Sequence, residues 1–128
     1  MLMKDDAEVE MRKILGAEIE ALEVRYETLK NYLSPKSQID DLEITGVLRA
    51  YKDDLSTITA HILTLYQLKG QRARIIWDNL FTNIDNALET IQNHPRADPR
   101  TAIETAFNMS EPKIEEIMAY LAKLKQSL

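Results

Sequence analysis

Four ladders of apolar residues, stepping by three and four, run along nearly the whole chain and constrain it more than any other feature. The first is Leu15, Ile19, Leu22, Tyr26, Leu29, Leu33, and the second Ile44, Leu48, Tyr51, Leu55, Ile58, Ile62, Leu65. The third is Trp77, Leu80, Ile84, Ala87, Ile91, and the last Ile114, Ile117, Leu121, Leu124, Leu128. A 3.5-residue spacing keeps one seam of a helix turned toward a partner helix. The expected fold is therefore all-α, an antiparallel helical bundle with two long N-terminal helices, coiled-coil-like packing and a short C-terminal helix pair.

Capping residues and breakers divide the ladders. Helix one is expected from a cap at Asp5 or Asp6 to Tyr32 or Leu33, with Glu8 and Glu10 suiting its positive N-terminal end. Gly16 interrupts good helix formers at a cost of roughly 1 kcal/mol relative to alanine, which close approach of a neighbouring backbone would explain. Ser34-Pro35-Lys36-Ser37 breaks the pattern, and either serine can cap a second helix from about Gln38 to Lys69, Ser37 with Asp40 resembling a weak capping box. Such a short link between long helices implies an antiparallel hairpin.

The next joint allows two readings. Gly70 can be a left-handed helix terminus, with helix three following at once from Gln71 to Asn93. Yet Gln71, Arg72 and Ala73 supply no cap, and the series Leu65, Lys69, Ala73, Ile76, Leu80 continues in phase. One continuous helix over 38–93 would be roughly 80 Å long at 1.5 Å per residue, and would demand a partner. His94-Pro95-Arg96-Ala97-Asp98-Pro99 is a loop, with Asp98 as cap and Pro99 at the first position of a short helix ending near Phe107. Ser110 is read as the cap of the last helix, which has Glu111, Glu115 and Glu116 near its start and Lys123 and Lys125 near its end. One domain, 1–128, results: a long-helix bundle over 1–93, closed by a helix pair over 98–128.

Composition narrows the function classes. A chain of 128 residues can bury a core unaided, and the absence of cysteine removes disulfides and thiolate chemistry. The longest uncharged run, Leu55 to Leu68, is too short and too rich in Ser, Thr and Gln to span a bilayer. Met1 to Met3 lead directly into Lys4, Asp5 and Asp6, which does not read as a secretory signal, so a cytoplasmic protein without membrane contact is expected. Net charge is −5, and residues 1–33 hold five basic against eight acidic groups. That balance argues against general nucleic-acid binding, which depends on neutralising phosphates.

No catalytic, cofactor or metal constellation emerges. Ferritin-type dimetal sites need Glu-x-x-His on two helices; Ile58 and Ile91 stand where those glutamates would precede His61 and His94. Gly16, Gly46 and Gly70 are isolated, so there is no phosphate-cradling loop. A phosphoryl-accepting histidine on a helical hairpin is followed closely by lysine and glycine, whereas Lys69 and Gly70 come eight and nine residues after His61. His61 is expected instead to be partly buried and bonded to a neighbour. Ile103, Phe107, Met109, Ile114 and Ile117 have the apolar spacing of a helix-turn-helix. However, Glu104 stands where a small residue belongs, and Glu111, Glu115 and Glu116 would face phosphate with only Lys113 opposing.

The remaining constellation is Lys69, Arg72, Arg74 and Trp77. Arginine with tryptophan is a common hot-spot pairing at interfaces, although Trp77 can equally fill the core while the arginines are solvated or pair with helix-one glutamates. These four are the candidate partner-binding residues. The expectation is a non-enzymatic protein-interaction module without cofactor: a small regulator, adaptor, accessory subunit or viral assembly component. Its partners would be a second copy, suggested by the apolar breadth of Leu55–Leu68, or another protein. The alternative is a nucleic-acid-associated regulator using the C-terminal pair or Arg72/Arg74.

Overall fold

The computed structural model describes residues 2–35, 37–38 and 40–128, with side chains described from Asp6 onward. Among them are five helices: α1 (Leu2–Leu33), α2 (Asp41–Leu68), α3 (Asp78–Asn93), α4 (Pro99–Met109) and α5 (Ile114–Ser127). The chain is an all-α bundle built on the α1–α2 hairpin. Salt bridges Glu18–His61 and Arg25–Asp54 pair rising α1 numbers with falling α2 numbers, so the two helices run antiparallel.

Leu15, Ile19, Leu22 and Leu29 of α1 and Leu48, Leu55, Ile58, Ile62 and Leu65 of α2 are wholly buried, as the ladders imply. Each such side chain contributes about 1.5–3 kcal/mol relative to exposure. Tyr51 sits among four helices: its ring lies 6.1 Å from Tyr26 and 6.4 Å from Phe107, and its hydroxyl donates to the Met118 thioether. The inward row of Leu55–Leu68 is thus covered by its own chain, which removes the ground on which that run suggested self-association.

α4 packs mainly on α3 and α5 mainly on α1, so the two C-terminal helices close the bundle from separate sides rather than leaning on each other. Lys125 of α5 bonds Glu23 of α1. Arg100 of α4 donates from Nε to the Tyr32 carbonyl and from Nη2 to the Ser37 carbonyl, 3.0 Å each, fastening α4 to the last turn of α1 and the loop that follows it.

Several boundaries differ from expectation. α1 begins at Leu2, ahead of the expected caps at Asp5 and Asp6. α2 begins at Asp41, capped by Asp40, whose carboxylate accepts from the Leu42 N–H; neither serine caps it. Lys36 and Ile39 lie outside the described residues. Asp98 and Pro99 start α4 as read, but the helix continues to Met109.

Ser110 ends α4 instead of starting α5. Its hydroxyl donates back to the Ala106 carbonyl and accepts from Asn83 of α3, while Lys113 occupies the α5 cap position. A Cβ on Gly16 would meet only the Leu128 side chain, at 3.8 Å, so no close backbone explains that glycine.

Candidate interaction segment between α2 and α3

The α2–α3 joint bears out Gly70 as the left-handed terminus of the second helix, but not a third helix following at once. Gly70, at φ +73°, adopts the left-handed conformation that residues with a Cβ avoid. Its N–H donates to the Gln67 carbonyl at 3.0 Å, and the Gln71 N–H donates to the Tyr66 carbonyl at 2.9 Å. This pair of bonds is a Schellman terminus, which satisfies two of the last carbonyls of α2. α3 does not follow at once. Residues 71–77 run outside any helix, and α3 starts only at Asp78. The continuous 38–93 helix is ruled out, and so is a third helix starting at Gln71.

Side chains along this segment alternate. Ala73 and Ile75 are half-buried and Trp77 is buried, while Arg72, Arg74 and Ile76 are exposed. A period of two is the signature of extended backbone lying on a core. The apparent ladder Leu65, Lys69, Ala73, Ile76, Leu80 is therefore coincidental: Ile76 faces out, 56% exposed.

Trp77 anchors the segment. Only 4% of it is exposed, and its indole Nε1 donates to Thr59 Oγ1 of α2 at 3.0 Å. Thr59 in turn donates to the Leu55 carbonyl at 2.7 Å, so the buried indole proton feeds a satisfied chain. The Trp77 ring lies 5.7 Å from that of Tyr120 on α5, tilted by 58°. Burial, helped by a hydrogen bond with Tyr66, pushes the Tyr120 hydroxyl up to about 12.

The four candidate residues are therefore sorted to opposite sides. Trp77 belongs to the core, and Lys69, Arg72 and Arg74 to the surface. Among the described residues none of the three cations forms an ion pair or side-chain hydrogen bond. Four of the six helix-one glutamates take other partners: Glu8 pairs with Arg12, Glu18 with His61, Glu23 with Lys125 and Glu27 with Lys30. Because α3 begins at Asp78, the arginines precede its positive end instead of crowding it. Ile76, absent from the candidate set, completes the outward row. Its signal was the Ala73/Ile75/Trp77 alternation.

Elsewhere the geometry is structural. His61 Nδ1 lies 2.6 Å from Glu18 Oε1, a bonded, partly buried histidine as expected. The first turn of α5 exposes Glu115 and Glu116. Among the described residues no cluster of three or more His, Cys, Asp or Glu could hold a metal ion, and no helix is long and apolar enough to cross a membrane. Comparison with family models, curated proteins and solved structures gives no match.

Proposed function

We propose that this chain is a non-enzymatic, cytoplasmic protein-interaction module, serving as a small regulator, adaptor, accessory subunit or viral assembly component. The observation that carries the reading is the outward row of Arg72, Arg74 and Ile76, with Lys69 beside it, on a segment pinned at Gly70 and Trp77. Exposed cations without internal anions cost little to present and gain most when a partner supplies carboxylates. An exposed isoleucine between the helices adds apolar area.

The test is the double variant Arg72→Ala/Arg74→Ala. Exposed arginines contribute within about ±0.5 kcal/mol to stability, whereas hot-spot truncations cost about 2 kcal/mol or more in binding. Melting temperature and helical circular dichroism should stay unchanged while attachment to a partner or second subunit weakens. Unfolding of the variant would assign the arginines to the fold. Unchanged attachment would make them ordinary solvated surface.

Self-association is part of the same proposal, and its support is the outer face of α1. Ile14, Ala17, Ala21 and Val24 follow a second heptad spacing there, all exposed, Val24 at 65%. Light scattering after size exclusion at micromolar concentration should give a dimer or larger. A clean 14.7 kDa species would contradict it. The alternative nucleic-acid reading uses the C-terminal helix pair or the same two arginines, and it would be favoured only by tight, salt-sensitive duplex binding.

A further inference from the structure

We propose that residues 72–76 form an open β-edge that captures an extended acidic segment of a partner protein by strand addition. The inference rests on the interaction reading above and specifies its mode and the partner's chemistry.

The first observation is in the backbone. The N–H and C=O groups of residues 72–76 make no hydrogen bond with any described residue. Main-chain groups are obligatory hydrogen-bonding groups, and a row of them unpaired on a segment whose burial alternates with period two can serve as the template on which another strand adds.

The second observation is preorganisation. A peptide-binding edge loses affinity if it must be ordered on binding. This one is fastened at both ends, by the Schellman terminus at Gly70 and by Trp77 between Thr59 and Tyr120. Ala73 and Ile75 are half-buried between those anchors, which settles which side chains face out.

The third observation is charge. In a chain of net charge −5, Arg72, Arg74 and nearby Lys69 stand exposed without an ion-pair partner among the described residues. In an added strand, side chains on one face lie opposite one another, about 5 Å apart. Arg72 and Arg74 then call for carboxylates at alternate partner positions, and Ile76 for an apolar residue two further along. Depending on strand direction, the partner reads acidic-x-acidic-x-apolar or the reverse. Main-chain bonds supply affinity, and the alternate side chains supply specificity.

The test uses the full chain, labelled with 15N, and blocked synthetic peptides. The probes are acetyl-Thr-Glu-Thr-Glu-Thr-Ile-Thr-amide, its reversed sequence, an N-methylated copy of each that removes alternate backbone donors, and a short DNA duplex. One plain peptide should shift the amides of residues 72–76 and protect alternate ones from exchange. Its N-methylated copy should bind about tenfold or more weakly, as should Arg72→Glu/Arg74→Glu, which keeps its helical signal.

Equal binding by plain and methylated peptides, without amide protection, would overturn strand addition while leaving the cationic row as a contact surface. If neither peptide shifts residues 69–77 at millimolar concentration, the edge and the interaction reading of this row fall together. Duplex binding there without peptide binding would replace both by phosphate recognition.

Discussion

The α1–α2 hairpin and the 71–77 segment both bury apolar residues against one core, but with different periods. In the hairpin, burial recurs every three or four residues over some eight turns, on helices whose interior backbone is held by i to i−4 hydrogen bonds. Between α2 and α3, burial recurs every two residues, and the main chain of 72–76 has no hydrogen-bond partner among the described residues. The hairpin therefore spends its sequence on stability. The segment spends only Ala73, Ile75 and Trp77 on attachment and leaves Arg72, Arg74 and Ile76 for the surface. Stability and proposed function are carried by separable residues.

Removing the anchors tests that separation most severely. Trp77→Ala should cost about 3–5 kcal/mol and Ile62→Ala about 2–5 kcal/mol, measured by denaturant unfolding. Ile62→Ala should lower stability without altering the segment. Trp77→Ala should also loosen residues 71–77, visible as new flexibility in amide relaxation. A Trp77→Ala cost under about 1 kcal/mol would mean that the segment is not anchored through the indole.

These two residues also show what was legible in the sequence. Ile62 lies mid-ladder, with Ile58 four residues before it and Leu65 three after, so its burial follows from periodicity alone. Trp77 satisfies two patterns at once, the 3.5-period ladder running on to Leu80 and the period-two row running back to Ala73. A seven-residue window without cap, proline or Asx residue cannot decide between them, and the extended segment stayed hidden behind the longer helical signal. Likewise Ser110 has the chemistry of an N-cap, but in the fold its hydroxyl reaches back to Ala106 and toward Asn83. The three surface cations of the candidate site were legible as residues. Their lack of ion pairs among the described residues depends on tertiary placement, and four of the six α1 glutamates pair instead with Arg12, His61, Lys125 and Lys30.

Alkaline titration probes both regions together. Burial first, then Glu115 and Glu27, pushes Tyr26 up to about 12, and Tyr120 beside Trp77 is raised equally. Burial pushes Tyr51 higher still. In the unfolded chain these phenols ionise near 10. The folded state thus holds more protons above that pH, so stability is intact below about pH 10 and falls as pH rises toward about 12. Thermal melts across that range should show the melting temperature dropping, with tyrosinate absorbance appearing on unfolding. Ionisation of Tyr26, Tyr51 or Tyr120 near pH 10 in the folded protein, followed ring by ring by NMR, would contradict the burial.

Two glycines sharpen the contrast through the sign of the change. Gly46 lies inside α2 with nothing within 4 Å of an added Cβ, so Gly46→Ala should stabilise by about 1 kcal/mol. Gly70 has equal space but φ +73°, so Gly70→Ala should destabilise by about 1–2 kcal/mol. If both substitutions stabilise, residue 70 is helical and the joint is misplaced.

The central claim is that the chain leaves the helix at Gly70 and presents an open extended backbone before α3. Residue-resolved amide hydrogen exchange on the free protein tests it most directly. The account predicts near-unprotected exchange for Arg72 through Ile76, beside strong protection from Leu48 to Leu65 within α2. Protection of 72–76 comparable to that of α2, continuous through residue 70, would contradict it.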